Sequence, residues 1–204
     1  MTNVTVIGAG NIGAAVAKIA IKAGASVQVL TRDASKAAVD PGVTPGTIGD
    51  AITGDIVILA LPFGAIEEVI AQYPDGFTGK IIVDPSNPVD FATFDGLVVP
   101  AGSSAAAELQ AKLPDAHVVK AFNTTFAATL ATGTVGNTTT TILVAGDDAE
   151  AKAAVIALVE AAGLKGIDVG SLKRAHELEA IGFLQITLAA GEKIGWTGGF
   201  AITA

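Results

Sequence analysis

Short apolar runs alternate with segments of helical periodicity along this chain. Residues 4–7 form an apolar run that ends in glycine, and residues 11–23 then carry apolar side chains on one helical face. The alternation continues, with strands predicted at 26–30, 55–61, 80–83, 117–122, 139–145 and 166–169 and helices at 35–39, 65–72, 103–113, 147–162 and 172–190. Strands that alternate with helices indicate βαβ units, so we expect an α/β fold with a doubly wound, mainly parallel sheet.

Three glycines lie between the first predicted strand and the first predicted helix. Gly8, Gly10 and Gly13 form a Gly-x-Gly-x-x-Gly pattern, and each has a physical task at such a turn. Gly8 permits the tight turn, Gly10 leaves the backbone open to a pyrophosphate, and Gly13 lets the helix lie close to the sheet. The unpaired N–H groups and the positive dipole end of the helix favour anions. The pattern therefore predicts a Rossmann-type dinucleotide-binding domain.

The end of the second predicted strand indicates which dinucleotide binds. NAD sites carry an Asp or Glu here, which accepts a hydrogen bond from the ribose 2′-hydroxyl. This chain has Thr31 and Arg32, followed by Asp33 and Lys36. A hydroxyl, a guanidinium and an ammonium suit a 2′-phosphate, so we expect NADP(H), with Asp33 capping the next helix. In the alternative interpretation Arg32 is a solvated charge, Asp33 binds the ribose, and NAD is preferred.

Turn-forming or polar residues follow three later strands. In a doubly wound sheet the ligand lies across the carboxyl ends of the strands. We therefore expect Ala60, Leu61 and Pro62 to flank the pyrophosphate, and Asn87 and Asn123 to lie near the nicotinamide. Plain turns are the alternative, since Asp-Pro and Asn-Pro are ordinary turn formers.

The composition argues against several kinds of site. The formal net charge is −8, whereas a nucleic-acid or anionic membrane partner needs a basic face. With no cysteine and two separated histidines, we expect neither a disulfide nor a metal site. No signal peptide and no run of about 18 apolar residues is evident, so we expect a cytoplasmic protein that does not span a membrane.

The sequence identifies no catalytic side chain, and the catalytic residues stay unknown. There is no Ser/His/Asp order and no Tyr-x-x-x-Lys pair, which argues against a short-chain carbonyl reductase. His176, Glu177 and Glu179 lie on the last predicted helix, and Lys120 ends a strand. Each could serve as a proton donor, but we expect the charged residues of the helix to form its solvated face.

No internal repeat or linker divides the chain, and 204 residues suit one domain. We expect a single NADP-binding domain over residues 1–204. Its small C-terminal helical lobe, about residues 171–204, would complete the acceptor site. The last predicted helix is apolar on more than one face, so we expect a homodimer with this helix and the tail at the interface.

Seven segments occur in an order and spacing that match a known pattern. They are residues 8–13, 31–32 with 36, 55–62, 84–88, 120–124, 146–148 and 168–172. Together they resemble the NADP oxidoreductases that depend on the deazaflavin coenzyme F420, which are related to the cytosolic reductase domain of the STEAP metalloreductases. The resemblance runs the whole length of the chain.

The resemblance implies that NADPH lies along the first half of the chain, while a deazaflavin or a flavin such as FMN, FAD or riboflavin packs against the nicotinamide. Hydride would pass directly between the rings, so the protein would supply positioning and exclusion of water. The implied cofactor-binding residues are Gly8, Ala9, Gly10, Asn11, Ile12, Gly13, Thr31, Arg32, Lys36, Ala60, Leu61, Pro62, Asn87, Pro88, Ala121 and Asn123.

Two other functions stay open from the sequence. An NADPH-dependent imine or carbonyl reductase would use the same N-terminal domain, but such enzymes usually carry a much larger helical domain after it. A non-catalytic NADP-binding sensor is also compatible with a complete phosphate loop and no evident proton donor. NADPH oxidation with added flavin distinguishes these functions.

Overall fold

The computed structural model describes residues 1–203, within which the chain forms ten strands and six α-helices. The strands are Asn3–Ile7 (β1), Ser26–Thr31 (β2), Val43–Thr47 (β3), Ile56–Leu59 (β4), Ile81–Asp84 (β5), His117–Lys120 (β6), Thr134–Val135 (β7), Thr138–Thr139 (β8), Thr141–Gly146 (β9) and Lys165–Gly170 (β10). The helices are Asn11–Lys22 (α1), Phe63–Ile70 (α2), Ala105–Lys112 (α3), Ala127–Thr132 (α4), Ala149–Ala161 (α5) and Ala175–Ala190 (α6).

Eight of the strands form one sheet, in the order β10-β9-β6-β5-β4-β1-β2-β3. Neighbouring strands in it are parallel, apart from the antiparallel pair of β6 and β9. This confirms the predicted doubly wound, mainly parallel sheet. The chain winds from β1 toward β2 and β3, then returns to β4 on the other side of β1. The carboxyl ends of β1 and β4 therefore flank the crevice in which such sheets bind ligands.

Helices cover both faces of the sheet, because successive strand side chains point to opposite sides. Val4 and Val6 of β1 belong to a buried cluster with Val16 of α1 and Val155 of α5. Ile7 belongs to the cluster on the other face, which α2 and α3 cover. Both faces are buried, so the central strands read as continuous apolar runs instead of alternating patterns.

The edge strand β3 is absent from the sequence prediction, because Pro45 lies within it. Residues Val43–Thr47 nevertheless pair in parallel with β2, and Pro45 lies opposite Val29. An edge strand tolerates a proline because its outer side needs no hydrogen-bond partner. The helix predicted at 35–39 is wrong, since the only helical turn there is a single 3-10 turn, Ala34–Lys36.

Three helices begin later than their patterns predict. α6 begins at residue 175 instead of 172, after a 3-10 turn at Leu172–Arg174, and a capping side chain precedes each of the other two. α3 begins at residue 105 instead of 103, because the hydroxyl of Ser104 accepts a hydrogen bond from the Ala107 N–H at 3.1 Å. α5 begins at residue 149 instead of 147, because Asp148 accepts one from the Ala151 N–H at 2.7 Å. Each polar side chain is thus a cap just outside the first turn.

Candidate functional site

The fold requires two of the three glycines of the phosphate loop, and it does not require the third. Gly8 has a φ of 107°, and a Cβ there would overlap the carbonyl oxygen of Ala60. A Cβ on Gly13 would overlap the carbonyl oxygen of Gly8. Gly10 has an ordinary φ of −68°, and a Cβ there would meet nothing within 4 Å. Packing within the chain does not explain a glycine at residue 10, whereas close approach of a ligand does.

The first turn of α1 has the features of an anion site. No side-chain hydrogen bond caps the helix at Gly10, and the first turn contains no acidic residue. The helix dipole places positive partial charge at this end, where Gly10 and Asn11 are exposed. A phosphate here would meet backbone N–H groups as well as the favourable end of the dipole.

Local hydrogen bonds occupy two polar side chains where β2 ends. The Thr31 hydroxyl donates to the carbonyl of Asp33 at 2.5 Å. The Asp33 carboxylate accepts from the Ser35 hydroxyl at 2.7 Å and from its N–H at 3.1 Å, and these bonds lower the pKa of Asp33. This confirms that Asp33 caps the following turn. Arg32 and Lys36 are exposed, and neither forms a salt bridge within residues 1–203.

The ends of β1, β2 and β4 meet at the phosphate loop. The Gly8 N–H donates to the carbonyl of Leu30 at 2.8 Å. Ala60 and Leu61 are the nearest neighbours of the space that a side chain on Gly8 would take. Pro62 is exposed at the start of α2. Residues 60–62 therefore flank the loop, as the winding of the sheet predicts.

A cavity of about 750 Å³ opens beside the phosphate loop. Asn11 and Ile12 of the loop lie in its wall, so the anion site and the cavity are continuous. The remaining wall comes from α1, the segments after β5 and β6, α4, α6 and the tail. Its residues are Ala14, Ala15, Lys18, Pro85, Asn87, Phe91, Phe94, Phe122, Asn123, Thr125, Phe126, Ala127, Ala128, Ala131, Ile186 and Trp196.

Aromatic side chains provide two contacting pairs in this wall. Phe91 and Phe94, in the segment between β5 and α3, pack edge to face with ring centroids 5.6 Å apart. The rings of Phe126 and Trp196 lie 5.0 Å apart. The sequence interpretation missed all four. The available signal was that a chain with only eight Phe, one Trp and one Tyr places several of them in irregular segments.

Asn87 and Asn123 form a hydrogen-bonded pair in the cavity wall. Asn87 Nδ2 donates to the carbonyl of Asn123 at 2.8 Å. Asn123 Nδ2 donates to Asn87 Oδ1 and to the carbonyl of Leu178, both at 2.9 Å. Gly182 of α6 makes room for the pair, because a Cβ there would overlap Asn87 Oδ1. The segments after β5 and β6 are thereby joined to α6 beside the cavity.

The turn after β6 has a strained backbone. Phe122 has a φ of 68°, in the left-handed region that residues with a side chain rarely adopt. Its side chain is buried and forms part of the cavity wall. Such a conformation costs on the order of 1–3 kcal/mol and is common at functional sites. The Thr125 hydroxyl donates to the Phe122 carbonyl at 2.9 Å and helps to hold the turn.

The structure brings only some of the predicted cofactor-binding residues to the cavity. Asn11, Ile12, Asn87 and Asn123 line it, whereas the phosphate-loop glycines and the ends of β2 and β4 lie outside its wall. Both Pro88 and Ala121 are buried and outside the cavity wall, because their side chains pack within the fold.

Lys120 belongs to a buried ion cluster. Its Nζ lies 2.8 Å from Asp84 Oδ2 and 2.8 Å from Glu179 Oε1, and it donates to the carbonyl of Ser86 at 2.6 Å. Glu179 also accepts the Ala105 N–H at 2.9 Å. Burial raises the pKa of Glu179, although Lys120 acts in the opposite direction. The expectation that Glu179 lies on a solvated face is wrong, because its partner comes from a strand that helical periodicity cannot reveal.

The other charged residues of α6 lie at the surface. Glu177 forms a salt bridge with Arg174 at 2.9 Å, and His176 Nδ1 lies 3.1 Å from the carbonyl of Ser103. Within residues 1–203, no group of three or more His, Asp or Glu side chains could hold a metal ion. In the same part of the chain, no helix combines the length and apolar character needed to cross a bilayer.

Comparison of the sequence with known proteins shows which family it resembles. Residues 3–88 match the family described as NADP oxidoreductase, coenzyme F420-dependent. Over 149 residues the chain is 36% identical to the F420-dependent NADP reductase of Methanocaldococcus jannaschii, in a match that covers 71% of this chain and 66% of that protein. The chain belongs to this family.

The similarity to known proteins extends beyond residues 3–88 of this chain. A protein of Arthrobacter sp. FB24, proposed to be an F420-dependent NADP reductase, has a crystal structure with a TM-score of 0.86 at 25% identity, covering 100% of both chains. The rat metalloreductase STEAP3 is 32% identical over 181 residues, which cover 87% of this chain. The chain thus spans 36% of the rat protein and 66% of the archaeal one.

Proposed function

We propose that this chain is an NADP(H)-dependent oxidoreductase that transfers a hydride between NADP(H) and a flavin or deazaflavin. The observation that carries the proposal is the continuity of the phosphate loop with the cavity, since Asn11 and Ile12 belong to both. A dinucleotide whose pyrophosphate rests on the start of α1 would extend its nicotinamide into the cavity. The relatives named as an F420-dependent NADP reductase and a metalloreductase support this chemistry.

The dinucleotide would lie across the carboxyl ends of the central strands. Backbone N–H groups of residues 8–13 would bind the pyrophosphate, beside residues 60–62. Arg32 and Lys36, exposed and without carboxylate partners in the described chain, would bind the 2′-phosphate and favour NADP(H) over NAD(H). Thr31 would contribute a hydrogen bond only after its hydroxyl leaves its present acceptor.

The acceptor would occupy the aromatic part of the cavity. A fused planar ring gains contact area by stacking on aromatic side chains, which Phe91, Phe94, Phe126 and Trp196 provide. The volume of about 750 Å³ suits a drug-sized ligand. The Asn87–Asn123 pair would border the nicotinamide, at the junction of the two rings.

The residues of this site would position the rings and exclude water. When bound, NADPH supplies a hydride from its nicotinamide, and the acceptor takes that hydride together with a proton from solvent. The cavity wall contains neither a carboxylate nor a histidine. This agrees with direct hydride transfer, which needs little acid–base assistance.

The C-terminal segment, from about residue 171, would complete the acceptor site. Ile186 of α6 and Trp196 after it lie in the cavity wall. Gln185 holds the segment in place: its Nε2 donates to the carbonyl of Thr124 at 3.3 Å, and its Oε1 accepts the Phe200 N–H at 2.9 Å. Residues 171–203 would thus belong to the same domain as the phosphate loop.

We also propose a homodimer. Several large apolar side chains of α6 and the tail are exposed, among them Ile181 at 37%, Leu184 at 51% and Phe200 at 45%. Contiguous exposed apolar side chains are typical of interaction surfaces. Light scattering after size exclusion should give twice the 20.2 kDa chain mass, and a monomer at micromolar concentration would contradict this.

The function is tested by following oxidation of NADPH, and separately of NADH, with F420, FMN, FAD and riboflavin in turn. We expect turnover with at least one of these acceptors and a clear preference for NADPH. Tight NADPH binding without turnover on any of them would contradict the proposal. Activity on a cyclic imine instead would favour an imine reductase, and inactivity on both classes would favour an NADP sensor.

A further inference from the structure

The cavity extends from the phosphate loop along α1 and α4. Asn11, Ala14, Ala15 and Lys18 line it and recur at the spacing of one helical face. Residues 127, 128 and 131 of α4 are alanines that line the same extension. Lys18 stands seven residues beyond Asn11, or about 10.5 Å along the helix axis. The extension is therefore lined mainly by alanines, and its one lysine leaves α1 two helical turns beyond the loop.

Lys18 is the one charged residue in the wall of this cavity. The chain has 20 Asp and Glu residues and a net charge of −8, yet none of these carboxylates lines the cavity. Lys18 is exposed and forms no salt bridge within residues 1–203. An ammonium without a carboxylate partner, beside a cavity that the acidic residues avoid, favours an anionic ligand group.

We infer that the acceptor carries an anionic group of the phosphate type on the chain attached to its ring, and that Lys18 binds this group. The inference rests on the proposed function, because it concerns the acceptor of that reaction. Lys18 is the specificity-determining residue: it favours a phosphorylated flavin or deazaflavin over the same ring without phosphate. Lysine suits this role as a flexible point charge for phosphate.

The pyrophosphate of NADP(H) does not account for Lys18. Backbone N–H groups and the dipole at the start of α1 already suit that anion. Lys18 leaves α1 about 10.5 Å along the helix axis from Asn11, two turns beyond the backbone N–H groups that would bind the pyrophosphate. The acceptor, which enters the cavity beyond the loop, is the ligand that reaches this charge.

The test uses Trp196, the single tryptophan of the chain, whose ring lies in the cavity wall. Quenching of its fluorescence reports binding of FMN and riboflavin to the complex with NADP+, where no turnover occurs. We expect FMN, which differs from riboflavin by its phosphate, to bind more tightly. Lys18→Met should weaken FMN binding about 3- to 10-fold, as for a partly exposed charge pair, and change riboflavin binding less than about 2-fold.

Two further variants serve as controls. Lys18→Arg keeps the charge and should retain most of the preference for FMN. Lys22→Met removes an exposed lysine one turn further along α1, outside the cavity wall, and should leave both flavins unaffected.

Three outcomes would overturn the inference. If Lys18→Met lost affinity equally for FMN and riboflavin, the side chain would act by packing and not by binding phosphate. If the variant bound only NADP+ more weakly, Lys18 would be a dinucleotide-binding residue. Absence of a preference for FMN in the unaltered protein would also overturn it. A phosphate-dependent preference without NADPH turnover would contradict the proposed function and leave the role of Lys18 standing, so the two failures are distinguishable.

Discussion

Gly10→Ala should weaken NADPH binding and leave the free energy of unfolding nearly unchanged. The backbone at Gly10 is already in a conformation open to alanine, and the added methyl would touch no atom of the chain within 4 Å. Alanine caps a helix less well than glycine, by several tenths of a kcal/mol. It also stabilises the fold by about 0.4–1 kcal/mol, because it lowers the conformational entropy of the unfolded chain. The two effects oppose each other, so the unfolding free energy should change by less than about 1 kcal/mol.

The same methyl would occupy the space through which a pyrophosphate reaches the backbone. Losing one hydrogen bond to a charged group costs about 1.5–3 kcal/mol. The Kd of NADPH should therefore rise about 10- to 150-fold. Calorimetric titration with NADPH measures this change. Thermal unfolding of the free protein, where 1 kcal/mol corresponds to about 2–4 °C at this length, measures stability.

Gly13→Ala is the matched control, because its Cβ would overlap the carbonyl oxygen of Gly8. Overpacking of this kind costs about 1–3 kcal/mol or more, so this variant should lose stability as well as NADPH affinity. NADPH binding by Gly10→Ala with the affinity of the unaltered protein would refute the reasoning, since it would mean that no phosphate approaches residue 10. A large loss of stability in Gly10→Ala would refute it equally.

Three more perturbations test other parts of the account. Arg32→Ala should raise the Kd of NADPH about 10- to 150-fold and leave that of NADH unchanged in the same titration, and equal losses would contradict a 2′-phosphate site. Because burial raises the pKa of Glu179 above its ordinary 4.5, this group stabilises the fold fully below pH 4.5, and its contribution is lost as pH rises through the folded-state pKa. In urea unfolding, the free energy of unfolding of the unaltered protein should fall across that range by at most about 1.4 kcal/mol per pH unit, and that of Glu179→Gln should not show this fall. A difference between the two proteins that stays the same at every pH would contradict the prediction. Gly182→Ala should lower the thermal midpoint, because its methyl would overlap Asn87, and an unchanged midpoint would show that the Asn87–Asn123 pair is not held against α6.

The sequence allows the phosphate loop and the central sheet to be predicted because both depend on local patterns. Gly8, Gly10 and Gly13 have a fixed spacing within one turn, and a strand buried on both faces is a continuous apolar run. β3 escapes prediction because tolerance of Pro45 depends on the position of the strand at the sheet edge, which only the assembled sheet determines.

The rest of the site depends on contacts between distant segments. Glu179 and Lys120 are separated by 59 positions in the chain numbering, and the helix alone gives no sign that one buries against the other. Phe126 and Trp196 meet only because α6 brings the tail back to the segment after β6. The direction of β9, antiparallel to β6, likewise follows from the path of the chain between them and not from the residues of either strand.

Hydride transfer within the cavity is tested most directly by single-turnover oxidation of NADPH that carries deuterium at the transferred position, mixed anaerobically with enzyme and acceptor. The account predicts that NADPH loss and acceptor reduction proceed at one rate with one-to-one stoichiometry, and that deuterium slows both equally. Loss of NADPH without reduction of the acceptor, or acceptor reduction that ignores the isotope and lags behind NADPH loss, would contradict direct transfer between the two rings.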